Sequence, residues 1–363
     1  MMRLLILALT ACALHAQPAT PAAAPPFAAT IAQFSEPNGF FDTDNLISNE
    51  KSFLHVMGPL KRQDVTGGIY IGVGPDQNFS YLAQIRPTVA FLMDIRRDNL
   101  LGHLMFRALF AAARNRTEYL CLLLGREPPA PELPATEPES FDRLIAYLDQ
   151  TPQSNFEAAA AEIEKRILTY GLDLSKNDLK VIRRIHERFS KAGLDLIFET
   201  HGRRQQDYYP RLRDLIRGRD AAGNYASYLA TEESYQAVKK LQAEGRIIPL
   251  VGNLAGPQTL RRIAAYAKAN QLTLSAFYAS NVEQYLFRES NGYERFVRNL
   301  ATIPRTPKSV VIRSCFGPYA RGIATGDSYS AQLLQSVDHL IAAQSGGQIT
   351  SFMGVVRLSQ VGR

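Results

Sequence analysis

Residues 67–99 read GGIYIGVGPDQNFSYLAQIRPTVAFLMDIRRDN, and this stretch decides the fold. One apolar run ends in Gly72, a valine and Gly74, and a second apolar run ends in Asp94, twenty residues after Gly74. Glycines in a strand-to-helix turn let the backbone adopt positive φ and approach a ligand closely. A carboxylate at the end of the next strand can accept hydrogen bonds from ribose hydroxyls. The stretch therefore predicts a strand-helix-strand unit with a nucleoside-type site.

Short apolar runs alternate with helical patterns along the rest of the chain. Several of these runs are unbroken series of Val, Ile, Leu and Phe, as expected for strands buried on both faces of a parallel sheet. The alternation predicts an α/β fold with a doubly wound, mostly parallel sheet. The strand candidates are residues 69–73, 89–95, 196–200, 247–251, 273–278, 309–316 and 348–358.

The pattern predicts one main domain, residues 31–363, with an inserted helical subdomain at about 126–193. A proline-rich stretch, REPPAPELPATEPE, opens the insertion as an exposed loop. Ser154 and Glu157 have the spacing of a capping box, and Ser175 is suited to cap the next helix. A second irregular segment spans residues 201–225.

The residue two positions after Gly74 is Asp76. A carboxylate in the first helical turn suits the helix dipole, but it would repel a pyrophosphate placed there. The third glycine of a dinucleotide fingerprint is also absent. These features argue against NAD or FAD. They are compatible with S-adenosylmethionine, which carries no phosphate.

Glycine turn and strand-end acid together resemble the class I S-adenosylmethionine-dependent methyltransferase superfamily, in a bacterial branch with an export signal. The resemblance covers residues 65–125 and 195–360 and implies a methyltransferase-like sheet. It implies that the cofactor's amino-acid part, ribose and adenine are bound by residues after successive strands. These residues are Gly72, Gly74 and Asp76 for the amino-acid part, Asp94 for the ribose and Asn253 for the adenine. After strand four it implies Tyr278, Asn281 and Glu283 on the substrate side, with Asn281 also among the binding residues and Tyr278 and Glu283 as catalytic candidates.

The chain departs from that family at several positions. Tyr70 stands where an acid usually precedes the first glycine, Asn253 stands where an acid often follows strand three, and no Asn-Pro-Pro-Tyr signature is present. Three hypotheses therefore stay open. The protein is an exported methyltransferase-like fold that binds an adenosine-like or other small ligand, a non-enzymatic envelope protein that binds a partner, or a genuine methyltransferase.

The second irregular segment offers further candidates. His201 follows a predicted strand and could act as a general base near neutral pH, and Arg203 and Arg204 could clamp a carboxylate or phosphate. Arginines with interleaved tyrosines could also grip a partner between residues 201 and 225. The alternative is that these arginines are solvated or pair with acids of the same region.

Charge distribution and motif spacing argue against several classes of partner and site. The net charge is +7, but basic and acidic residues are mixed, so the sequence does not indicate nucleic acid. Histidines and cysteines show no metal-binding spacing, and there is no G-x-S-x-G motif. Cys121 and Cys315 lie in apolar surroundings typical of buried free thiols.

The N-terminus predicts export to the periplasm or the exterior. Residues 1–16 combine Arg3, an apolar run and an A-x-A-like end, as in a cleaved signal peptide. Alternatively, Cys12 ends a lipobox-like sequence and would carry a lipid, which is the one membrane contact the sequence suggests. Residues 17–30, rich in Pro and Ala, predict a disordered tether.

Overall fold

The computed structural model describes residues 24–131, 139–202, 204–324 and 328–361. It is an α/β protein built on one sheet with strand order β3-β2-β1-β4-β5-β6-β7. The first five strands run parallel, and β6 and β7 are each antiparallel to the strand before. The strands are β1 Ile69–Val73, β2 Val89–Asp94, β3 Ile247–Val251, β4 Leu274–Ser280, β5 Arg305–Phe316, β6 Ser330–Ser336 and β7 Gln360–Val361.

The prediction of an α/β fold with a mostly parallel sheet is confirmed. In β1, β3 and β4 every residue is buried, and in β2 all but the last residue are buried. The unbroken apolar runs identified these strands because a parallel sheet is covered on both faces. The strand order reverses beside β1, with β2 on one side and β4 on the other.

Two strand predictions are wrong. Residues 196–200 form no strand of the sheet and make only isolated bridges, from Ile197 to Arg211 and from Thr200 to Thr43. Most of 348–358 is instead a helix, because its apolar residues recur at helical spacing and Ser351 accepts a hydrogen bond from the third residue on. The antiparallel strand β6 was not predicted.

Fifteen α-helices lie within the described residues. Ser175 caps α8, as predicted, and also forms a capping box with Asp178. Ser154 and Glu157 form no such box, and α7 starts without a side-chain cap. The helices are α1 Phe27–Phe34, α2 Met57–Arg62, α3 Gln77–Ile85, α4 Arg97–Ala112, α5 Arg116–Leu124, α6 Glu139–Gln150, α7 Phe156–Leu168, α8 Lys176–Ala192, α9 Leu212–Ile216, α10 Glu232–Ala243, α11 Thr259–Ala269, α12 Val282–Leu286, α13 Gly292–Ala301, α14 Val337–Ser345 and α15 Phe352–Arg357.

The inserted helices share the core of the sheet. Helices α7 and α8 pack on α4, and the Phe106 and Phe189 rings meet edge to face at 5.9 Å. Buried side chains of the insertion and of the sheet belong to one hydrophobic cluster. Cys121 and Cys315 are buried and free, and burial raises the pKa of their thiols to about 12 and about 11.

Residues 36–50 cross the carboxyl ends of the strands. The disordered tether predicted for residues 17–30 is wrong at its end, because Phe27 begins α1 and its ring packs against Tyr170. After α1, the N–H of Glu36 donates to Val251 and the N–H of Gly39 to Ile95. Residues 1–16, with Cys12, lie outside the described residues. In the part of the chain that is described, no helix has the length and apolar character needed to span a membrane.

Candidate functional site

A cavity of about 510 Å³ opens at the carboxyl ends of the five parallel strands. Each of these strands delivers a residue to it where the strand ends or just after. The residues are Gly74 after β1, Asp94 of β2, Gly252 after β3, Ser280 of β4 and Phe316 of β5. Ligands of open α/β sheets bind at this edge, where the strand order reverses.

The side chain of Asn78 fixes the glycine turn after β1 through hydrogen bonds. Its side-chain amide donates to the carbonyl of Val73 at 2.9 Å, and Tyr70 donates to its Oδ1 at 2.8 Å. A Cβ on Gly72 would lie 1.9 Å from that Oδ1, so Gly72 makes room for Asn78 and does not line the cavity. Gly74 lines the cavity with φ of +82°, a conformation that favours glycine.

Asp76, predicted to touch the cofactor, does not line the cavity. Its carboxylate is buried and accepts a hydrogen bond from Tyr228 at 3.2 Å. Burial raises the pKa of Asp76 to about 6. On the other side of the turn, the ring Nε2 of buried His103 lies 2.9 Å from the carbonyl oxygen of Gly74. Both residues support the turn from the protein interior.

Asp94 lines the cavity, as the sequence predicts. Its Oδ2 accepts from the amide of Asn45 at 2.9 Å, and its Oδ1 accepts from the backbone N–H of Arg96 at 2.9 Å. The Arg96 guanidinium also reaches Asp94, at 3.3 Å, and the carbonyl of Thr43. A carboxylate has about four acceptor positions, so this one is fixed in place and keeps capacity for a ligand hydroxyl.

Asn253 and Asn281 also line the cavity. The Oδ1 of Asn253 accepts from the N–H of Ala255 at 2.8 Å, which closes a local turn after β3. The Oδ1 of Asn281 lies 3.4 Å from the hydroxyl of Ser280. The structure therefore brings four of the six predicted binding residues, Gly74, Asp94, Asn253 and Asn281, to one cavity.

The catalytic candidates after β4 point elsewhere. Neither Tyr278 nor Glu283 lines the cavity, and both are fully buried. The Glu283 carboxylate pairs with Arg313, whose Nε lies 2.5 Å from it. Tyr278 donates its hydroxyl to Glu50 at 2.7 Å. The prediction that Tyr278 and Glu283 face a substrate is not supported by this geometry.

The second irregular segment contributes Tyr208 and Tyr209 to the lining of the cavity. His201 and Arg204 are exposed and do not line it, and Arg203 lies outside the described residues. Farther along, Arg213 pairs with Asp149 at 2.7 Å. Several arginines of this segment thus meet acids of the same molecule. Among the residues with described positions, no group of three or more His, Cys, Asp or Glu could hold a metal ion.

Sequence reasoning missed the contribution of residues 36–50. Thr43, Asn45 and four further residues of this segment line the cavity, and Glu50 lies buried next to it. Sequence reasoning also missed the aromatic side chains that line the cavity. Among them, the rings of Phe41 and Tyr285 lie 4.9 Å apart. The partners of residues 36–50 are far away in sequence, and no local pattern could have revealed them.

Two buried polar atoms beside the cavity have unused bonding capacity. Gln77 donates from Nε2 to Tyr278 at 3.4 Å, but its Oε1 has no partner among the described residues. The Oγ1 of Thr43 likewise has no partner there. Both residues line the cavity and are less than a tenth exposed. Buried polar atoms without partners are rare, and a site for a ligand is one reason for them.

Fold and site define an α/β protein with a polar and aromatic cavity at the carboxyl edge of its parallel strands. A protein-family model described as "Domain of unknown function (DUF7790)" matches residues 46–127 and 141–350, well over half of the chain. The chain belongs to this family. The unmatched residues between the two parts fall in the proline-rich stretch and at the start of α6. A search of curated proteins gives no match.

Proposed function

We propose that the cavity binds a phosphate-free ligand of the adenosine class, on a doubly wound, methyltransferase-like sheet. The observation that carries this proposal is Asp94, which ends β2 and lines the cavity next to Gly74. The strand order from β3 to β5 matches that of nucleotide-binding doubly wound sheets, in which an acid at this place accepts hydrogen bonds from ribose. S-adenosylmethionine is the cofactor implied by the resemblance to the class I methyltransferase superfamily.

Two helix starts near the cavity argue for a ligand without phosphate. The carboxylate of Glu36 accepts backbone N–H groups of Asn253, Gln258 and Thr259 at 2.8–3.0 Å, at the start of α11. Asp76 holds a carboxylate at the start of α3. Helix N-termini are where such folds bind phosphate. Here acidic side chains of the protein occupy or adjoin these positions.

The volume of the cavity suits one small molecule, since ligand pockets commonly measure about 300–1,000 Å³. Export, with or without a lipid anchor at Cys12, stays a prediction from the sequence. So does the methyl-transfer activity that a bound S-adenosylmethionine would support. The alternative is an envelope protein that binds a partner through residues 201–225 or through the helical insertion. The first of these surfaces loses support because arginines such as Arg213 and Arg217 pair with Asp149 and Asp142.

Calorimetric titration of S-adenosylhomocysteine, adenosine and ADP into the protein tests this proposal. We expect S-adenosylhomocysteine to bind with a micromolar Kd, about −8 kcal/mol, and ADP to bind more weakly than adenosine. Asp94→Asn should weaken binding by roughly 10- to 100-fold, because a hydrogen bond to a charged group is lost.

The matched control is Asp98→Asn. Asp98 lies four residues after Asp94, about half exposed, beside Arg184. Its replacement should leave the titration unchanged. No heat from the folded protein at high ligand concentration, or equal weakening by both substitutions, would contradict the proposal.

A further inference from the structure

Ser280 has an unusual position. It is the last residue of β4, it lines the cavity, and it is followed at once by Asn281 and the short helix α12. Its φ is +51°, in the left-handed region that residues other than glycine rarely adopt. Such strain concentrates at functional sites. A serine on a strained turn between a strand and a helix is also how α/β-hydrolases expose a nucleophile.

The hydroxyl of Ser280 donates to a buried carboxylate, that of Glu50. Glu50 is 1% exposed, and its other oxygen accepts from Tyr278 at 2.7 Å and from Gln332 at 2.5 Å. All of these donors are neutral. Burial raises the pKa of Glu50 above its ordinary value, against the lowering effect of the hydrogen bonds.

This arrangement has the three parts of an activated nucleophile. A hydroxyl contacts a base, and the base is oriented by a third group. The single proton of the Ser280 hydroxyl points at Glu50, so its lone pairs are left for other contacts. The described contacts of the Glu50 carboxylate include no cation, so no neighbouring positive charge opposes its protonation. A raised pKa brings a carboxylate closer to the neutral pH at which a general base works best.

We propose that Ser280 is a nucleophile and Glu50 its general base, and that the cavity has acyl-transfer activity toward esters or thioesters. The Ser280 oxygen forms a bond to the acyl carbon while its proton moves to Glu50. The alcohol or thiol leaves and takes this proton, so that an acyl-serine remains. Water then attacks the acyl-serine, gives one proton to Glu50 and releases a carboxylic acid, and Glu50 returns the proton to Ser280.

The cavity wall indicates the substrate class. Phe41 and Tyr285 meet edge to face, and Phe198 and Phe316 also line the cavity. An apolar or aromatic acyl group would bury its surface against these rings. This activity goes beyond the binding of an adenosine-like ligand and does not depend on it.

Labelling with an alkyl fluorophosphonate, followed by peptide mass spectrometry, tests this proposal without knowledge of the natural substrate. The serine oxygen bonds to phosphorus, fluoride leaves and the proton passes to Glu50. We expect one adduct, on Ser280, that is absent in Ser280→Ala. Ser275→Ala is the matched control, because Ser275 lies on the same strand and donates only to the carbonyl of Ile69.

Glu50→Gln should slow labelling by about 100-fold or more, as expected for the loss of a general base. The labelling rate of the parent protein should rise with pH as Glu50 loses its proton. Tyr278→Phe, which removes one of the groups that orient Glu50, should slow labelling less. Circular dichroism verifies that each variant is folded.

No adduct on the folded parent, an adduct that survives in Ser280→Ala, or an unchanged rate in folded Glu50→Gln would overturn the proposal. If Glu50→Gln fails to fold, the comparison of Ser280→Ala with Ser275→Ala and the pH dependence still decide. Titration of S-adenosylhomocysteine is a separate readout, so that failure of one proposal is distinguishable from failure of the other.

Discussion

Two buried carboxylates lie near the carboxyl end of β4, and the groups that contact them differ in charge. Glu283 forms an ion pair with Arg313, and both side chains are 0% exposed. Glu50 is equally buried, yet the groups that donate to it, among them Ser280 and Tyr278, are neutral. The charge of Glu283 is compensated within the fold, whereas that of Glu50 is not. A buried acid without a cation is costly, and groups perturbed in this way cluster at functional sites.

This difference separates a structural acid from a functional candidate where residue type could not. The resemblance to the methyltransferase superfamily singled out Glu283, because it follows strand four, and the Arg313 side chain that neutralises it comes from β5. Glu50 drew no attention, although it lies beside the cavity.

The largest expected effect concerns the compensated acid. Arg313→Met should lower the free energy of unfolding by about 3–5 kcal/mol, because it leaves Glu283 charged, buried and unpaired. Adding Glu283→Leu should recover much of this loss, since the uncompensated charge is then gone. Urea denaturation of the parent, single and double variants measures both changes. If the double variant is no more stable than the single one, the charge of Glu283 is not what Arg313 compensates.

Asp76 provides a second uncompensated acid, away from the cavity. Its pKa is raised from 3.8 to about 6, so the folded protein keeps a proton that the unfolded chain loses. Stability therefore falls as pH rises from about 4 to about 6 and stays lower above that range. Asp76→Asn removes this fall and should be more stable than the parent by about 3 kcal/mol at pH 7, with little difference at pH 4. Denaturation across this range checks the prediction, and parallel pH profiles would refute it.

The smallest expected effect concerns Glu50. Its raised pKa means that the charged form weakens the fold, so Glu50→Gln should be at least as stable as the parent at pH 7. Glu283→Gln should instead lose stability, because Arg313 stays buried without its partner. Thermal unfolding of the two variants, side by side, measures the contrast. An equal loss in both would remove the distinction between the two acids.

Local patterns predicted the parts of the site that are local in sequence. The turn at Gly74 and the acid Asp94 each end an apolar run, and both line the cavity. Strand β6 was missed because its sequence, SAQLLQS, places buried glutamines in an apolar run. One of these, Gln332, contacts Glu50 across 282 positions of sequence. No pattern within a window of a dozen residues contains such a contact.

Local patterns could not predict the partners of the charged side chains either. Arginines between residues 203 and 220 suggested an anion site, but composition does not tell where their partners lie, and Arg213 pairs with Asp149 at 2.7 Å. Glu36 gave no signal, although its carboxylate binds the start of α11 more than two hundred positions away. Ser280 could not be recognised either, because its backbone angle and its acid partner are properties of the folded chain.

The hydrogen bond between Glu50 and Gln332 also has a consequence for the order in which contacts form during protein synthesis. At roughly 5–20 residues per second, about 15 to 55 s separate the addition of these two residues to the growing chain. Throughout that interval the nascent chain holds the carboxylate of Glu50 without β6. This hydrogen bond therefore forms only after β6 has been translated, and a ribosome that stalls before β6 leaves a chain in which Glu50 lacks this donor.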